Sequence, residues 1–308
     1  VDNYKNNLLN LFFIFLIIFV VFEFLSINFP IHSIDSFHEG QQMSSAFKYR
    51  TNGTLWSGSY ITVGVIYETI ASNLIWNFFD TVSIGSTRYL NLFFIFLLKI
   101  LILFNLYQIT ILTNLSKQFK LIFLFVISII GVNLIDYNNP VGQFIWREIF
   151  TFLIIILFFQ ILLKPQYINY LSLIFGPLSC LSIFWSLDRG ITCNILIFVF
   201  LVYFLFSKNF KPCLLTIISI LFSWFFSYVY LADEFNFFIQ NTLSILSEIN
   251  QIGGIIHPIP FSDDNNASRA TKSLILISLA LFITLNLMFS KKENFNNKFV
   301  LCISIISI

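Results

Sequence analysis

Charge is what this sequence has least of. Only 10% of its 308 residues are Asp, Glu, Lys or Arg, against roughly a quarter in soluble domains, which excludes a water-solvated globular protein. Histidine and cysteine are also scarce, at three and four residues. Cys180, Cys193, Cys213 and Cys302 all lie in or beside apolar blocks, with no CxxC and no nearby His at ligand spacing, so they read as packing residues rather than metal or redox groups. No Walker phosphate loop, HExxH helix or GxSxG elbow occurs. Transport ATPases, zinc proteases and ordinary serine hydrolases therefore lose support. The lysines are spread along the chain rather than gathered in a patch, and nucleic acid is not an expected partner.

What remains is apolar. There are 41 Phe residues and a mean hydropathy of +0.86. Ile, Leu and Phe come in blocks of about 17 to 25 residues, the length a helix needs to cross a hydrocarbon layer about 30 Å thick. A helix satisfies its own backbone in lipid, so the predicted fold is an all-α polytopic transmembrane bundle, a single domain over 1–308. Spans are expected at about 8–27, 89–113, 119–135, 149–163, 168–187, 191–207, 212–231 and 273–290. A partial run follows from Phe299, too short to span, and with Val1 in place of an initiating Met it predicts a longer protein. No small-residue cleavage site follows the first span, so it reads as an anchor rather than a removable signal.

Placing Lys5 inside puts Lys117, Lys120, Lys164, Lys208, Lys211, Lys291, Lys292 and Lys298 inside as well, as the positive-inside rule requires. The other face then receives 12 of the 15 acidic residues, all three histidines and two long connections, 28–88 and 232–272. Within the first, 34–49 reads as a helix stopped by Asn52-Gly53. Residues 61–79 set Glu68, Thr69, Ser72, Asn73 and Asn77 opposite Ile66, Ile70, Leu74 and Phe78, which predicts an amphipathic helix in the outer interface.

The densest polar group is DSFHEG, where Asp35, His38 and Glu39 stand at i, i+3 and i+4 and Gln42 continues the face. Two carboxylates and an imidazole at a membrane edge suit general-base work on a hydroxyl, or could hold a divalent cation; a solvated loop helix is the plain alternative. Asp188-Arg189 at the outer end of the fifth span and Arg147-Glu148 at the start of the fourth are charges too costly at that depth unless paired or facing water. An arginine fork there suits phosphate, while a helix-end ion pair that orients the spans is the competing reading. His257-Pro258-Ile259-Pro260 with Asp263-Asp264 forms a rigid, acidic segment able to close over a site. Lys99 lies within a span, where it snorkels or faces a polar cavity, and Glu23 reaches the interface. Asn52-Gly53-Thr54 and Asn266-Ala267-Ser268 match the glycosylation acceptor pattern, which is too short to carry an argument.

Taken with the first span and the outer loop after it, the run DSFHEGQQMSSAFKYRTNG resembles the corresponding segment of the GT-C superfamily of polytopic glycosyltransferases. The resemblance covers mainly 35–80, with the other spans agreeing in number and orientation. It implies a sugar transfer from a polyprenyl-phosphate carrier to a glycan, lipid or protein acceptor, on the periplasmic side of a bacterial inner membrane. Asp35 takes the position of the catalytic base, with His38 and Glu39 beside it. Arg147, Asp188 and Arg189 take positions that in such enzymes bind the carrier phosphate or shape the pocket, and the helix carrying Glu68 would help form the cleft. The clean DxD of some branches is absent, so metal dependence does not follow. Three other classes fit the composition: a flippase or transporter for lipid-linked glycans, an O-antigen polymerase or ligase working through His257 and Arg269, and a non-catalytic assembly subunit.

Overall fold

The computed structural model describes residues 2–27, 34, 38–59, 61–113, 116–133, 135, 137, 145–252, 259–262 and 267–289. Every regular element among them is helical. In chain order they are α1 (Asp2–Leu25), α2 (His38–Asn52), a π-helical turn (Ile66–Ala71) running into α3 (Ser72–Phe79), α4 (Ile84–Leu112) and α5 (Lys117–Asn133). A 3-10 turn (Ile145–Glu148) leads into α6 (Ile149–Leu163), then come α7 (Ile168–Trp185), α8 (Leu187–Phe206), α9 (Phe210–Leu231), α10 (Asp233–Ile252) and α11 (Ala267–Phe289). Six helices are long and apolar enough to cross a membrane, beginning with Leu8–Leu25 and ending with Phe210–Leu231, and Gln118–Val132 and Ala270–Thr284 are shorter apolar helices. The chain is an integral, multi-pass membrane protein with an all-α bundle fold.

Two compact units are present, Val1–Leu243 and Ser244–Ile308. In the first, α4 is the spine. At 1.5 Å per residue its 29 residues run about 43 Å, well beyond a hydrocarbon layer of about 30 Å. The stacking of Phe24, at the end of α1, on Phe96 shows where the surplus lies. The first turns of α4 rise past α1 into the outer layer, and there α2 and α3 pack against them. Ser83 caps this helix, its hydroxyl accepting from the Ser86 amide at 3.2 Å.

On the other side of the unit α7 and α9 pack closely because their facing residues are small. Thr216 and Ser219 donate to the Ser172 and Leu173 carbonyls at 3.3 and 2.5 Å. A β-carbon on Gly176 would come within 2.3 Å of the Ser219 backbone. The turn from α8 to α9 closes through Lys208 at φ 57°.

Two expectations change in detail. Residues 61–79 do form a helical segment with polar and apolar faces, but the polar face turns inward. Glu68, Thr69, Ser72 and Asn73 are buried, while Leu74 and Phe78 are exposed. Facing lipid rather than water, a helix places its apolar side outward. The stretch 232–272, read as a connection, carries α10 over its first half. The helix expected over 34–49 is present as α2 in its described part, from His38, while 35–37 lie outside the described residues.

Candidate functional site

The outer layer is built on Tyr67. Its hydroxyl is shared between Asn91 Oδ1 at 2.9 Å and Gln42 Oε1 at 3.2 Å, while Gln42 Nε2 donates to Ser72 Oγ at 2.9 Å. The Tyr67 ring stacks on Trp146 with centroids 3.4 Å apart, and Trp185 stands edge-on to both. One side chain thus ties α2, α4, and the ends of α6 and α7 into a single layer. Burial raises its phenol pKa well above the usual value.

Beside it, Glu39 and Arg88 form a buried two-point ion pair, with Nε to Oε1 at 2.5 Å and Nη2 to Oε2 at 2.9 Å. This clamps the first turn of α2 to the first turns of α4. Glu68 accepts from the Thr62 and Val63 amides at 3.1 and 3.2 Å and from the Thr62 hydroxyl at 3.2 Å. Burial outweighs these bonds and pushes its carboxyl up to about 7. The loop it holds is pinned from the other side, where the Leu187 amide donates to the Val63 carbonyl at 2.8 Å. At Gly64 a β-carbon would meet the Trp185 carbonyl oxygen at 2.1 Å, so only glycine permits that approach.

Next to the aromatic layer lies a half-exposed charge cluster. Arg147 Nη1 is 3.1 Å from Asp188 Oδ2, and Arg189 Nε is 2.9 Å from Glu148 Oε1, an ion pair without hydrogen-bond alignment. Arg189 is also 3.6 Å from Asp188. The carboxylates are held in turn, Asp188 by Ser186 Oγ at 2.6 Å and Glu148 by Thr151 Oγ1 at 2.9 Å. Two guanidiniums and two carboxylates lie together here, and the side chains of Arg147 and Arg189 are 24% and 41% exposed.

A latch from the far end of the unit completes the layer. Glu234, in the first turn of α10, accepts from the Trp56 amide at 2.6 Å, the Ser57 amide at 3.1 Å and the Ser57 hydroxyl. Burial acts to raise its pKa, but the Ser57 hydroxyl and the Trp56 and Ser57 amides prevail and leave it below the ordinary value. Two turns on, Asn241 pairs with both backbone groups of Ile61, at 3.2 and 2.8 Å. Trp56, Phe184 and Phe238 pack beneath.

Of the residues singled out from sequence, the fold brings Arg147, Asp188 and Arg189 together and seats Glu68 and Glu39 in the same outer layer. Glu39 has both oxygens engaged by Arg88, and His38 stands half-buried at the start of α2. Asp35 and His257, with Asp263 and Asp264, lie outside the described residues. Among the described residues no three His, Cys, Asp or Glu side chains converge as a metal site. Sequence reasoning missed Arg88, Tyr67, Asn91, Glu234 and Asn241. For Arg88 a signal existed, a cation in the first turn of a span, which demands a partner; the others became partners only through folding. No family model, curated protein or solved structure matches this chain.

Proposed function

We propose that the protein is a membrane glycosyltransferase that moves a sugar from a polyprenyl-phosphate carrier to a glycan, lipid or protein acceptor on the face carrying α2 and α3. The observation that carries this reading is the clamped pair of outer helices after the first span, standing beside two partly exposed arginines. In sequence Asp35 stands three residues before α2, whose first turn the Glu39–Arg88 clamp fixes. In the reaction, Asp35 takes the proton of the acceptor hydroxyl as that oxygen bonds to the anomeric carbon. The bond from that carbon to the carrier phosphate breaks, and Arg147 and Arg189 receive the phosphate charge, exchanging part of their pairing with Asp188 and Glu148 for it. Glu39 then acts as a positioning residue, and Glu68 supports the cleft wall through the 61–64 loop.

The test is incubation of the purified full chain with a panel of radiolabelled polyprenyl-phosphate sugars. Sugar release or transfer is expected with at least one donor and is expected to fall at least a hundredfold in Asp35→Asn, the loss typical of a missing general base. Folded protein that releases no sugar from any donor, or an Asp35→Asn variant with full activity, overturns the reading.

A further inference from the structure

The membrane-embedded part of the first unit holds a polar cluster that outer-layer chemistry does not use. Lys99, 1% exposed in α4, places Nζ 2.7 Å from Glu23 Oε1 and 4.0 Å from the centroid of the Tyr137 ring. Two of the cluster's polar atoms have no partner among the described residues. Glu23 Oε2 is buried without a hydrogen bond, and so is the hydroxyl of Tyr137, a residue only 6% exposed. Unpaired polar atoms at such depth are costly and point to a ligand that completes them.

One helical turn deeper the same helices enclose a cavity of about 230 Å³. Val20 lies three residues before Glu23 and Leu103 four after Lys99, so both walls stand directly below the ion pair. Leu16 of α1 and Val132 of α5 close the sides, and the exposed Phe19 and Ile129 form the mouth. Ser128 also lines it, 1% exposed and with its hydroxyl unpaired, where a serine in a helix commonly returns its proton to the carbonyl four residues back.

The chemistry of these groups selects the ligand. The cavity exceeds the roughly 150 Å³ that accepts a benzene ring, and its apolar walls suit a hydrocarbon chain rather than water. An anionic head would meet the Glu23 carboxylate and a cationic head the Lys99 ammonium, each at short range. A neutral hydroxyl can donate to Glu23 Oε2 and accept from the Tyr137 hydroxyl. An ester carbonyl along the chain would accept from Ser128. We infer that α1, α4 and α5 form a binding site for a neutral lipid alcohol with an ester-linked chain, the chemistry of a diacylglycerol, with its chain in the cavity and its hydroxyl at Glu23 and Tyr137. This site does not depend on the glycosyl-transfer reading.

The test uses the purified full chain in phosphatidylcholine nanodiscs, a diacylglycerol with a diazirine in one acyl chain, and the same probe with its hydroxyl capped as a methyl ether. Ultraviolet labelling read by mass spectrometry is expected at 16–20 and 128–132, displaced by unlabelled diacylglycerol. The ether is expected to label about tenfold less, the worth of one or two buried hydrogen bonds. Tyr137→Phe lowers labelling by both probes, because the ether oxygen still accepts from that hydroxyl and capping removes only the donor to Glu23. Leu103→Trp fills the cavity and abolishes labelling, with Ile129→Trp at the mouth as the second variant if the first fails to fold. Equal labelling by alcohol and ether, or labelling spread evenly over the exposed faces of α8 and α9, overturns the site.

Discussion

Arg88 and Glu39 illustrate how a buried charge is kept. Each is desolvated, and each is satisfied at two points by the other. Arg88→Leu removes both of those points from Glu39 and is expected to cost about 3–5 kcal/mol, while Arg88→Leu with Glu39→Leu recovers most of that loss. Thermal unfolding of the wild type and the two variants in one detergent reads both. Glu68 gives a different signature. Its folded carboxyl is raised to about 7 from an ordinary 4.5, so the folded state holds the proton more tightly than the unfolded chain does. The stability this confers is complete below about pH 4.5 and is lost as pH rises through about 7. Stability measured across that window falls with rising pH, and Glu68→Gln flattens that part of the curve. The spacing in DSFHEG picked out Glu39 but not its use, because its partner lies 49 residues away and nothing local foretells that pairing.

Helices were legible from length and apolarity because lipid leaves the backbone no other way to satisfy itself. The missed helix, α10, is amphipathic and lies between polar ends, so its pattern resembled a connection until Phe238 and Asn241 found partners on the first outer segment. The inward polar face of 66–79 was equally hidden: periodicity separates two faces but does not say which one meets the protein. Close packing of elements makes its own prediction. Gly176→Ala forces α7 and α9 apart and is expected to cost about 1–3 kcal/mol. Gly40→Ala, on α2 with nothing within 4 Å of the new methyl, is expected to stabilise by up to about 1 kcal/mol. Melting temperatures of opposite sign for one chemical change would separate packing from propensity.

For the molecule as a whole, crossings by α1, α4, α5, α6, α7, α8 and α9 in turn are expected to set Lys164 and Lys208 at one membrane face and Arg50 and Asp80 at the other. Single cysteines replacing these four, probed with an impermeant maleimide on sealed vesicles, should label in two pairs from opposite sides; a mixed result would mean that 61–79 crosses the bilayer. The outer layer itself has a timing built in. Glu234 grips Trp56 across a sequence separation of 178 residues. A ribosome adding about 5–20 residues per second takes roughly ten to thirty-five seconds to supply the second half of that latch after the first has emerged. Throughout biogenesis, then, the 55–61 segment waits ungripped while α4 to α9 are synthesised, and a nascent chain stalled before Glu234 would be cut there by protease where the finished protein resists.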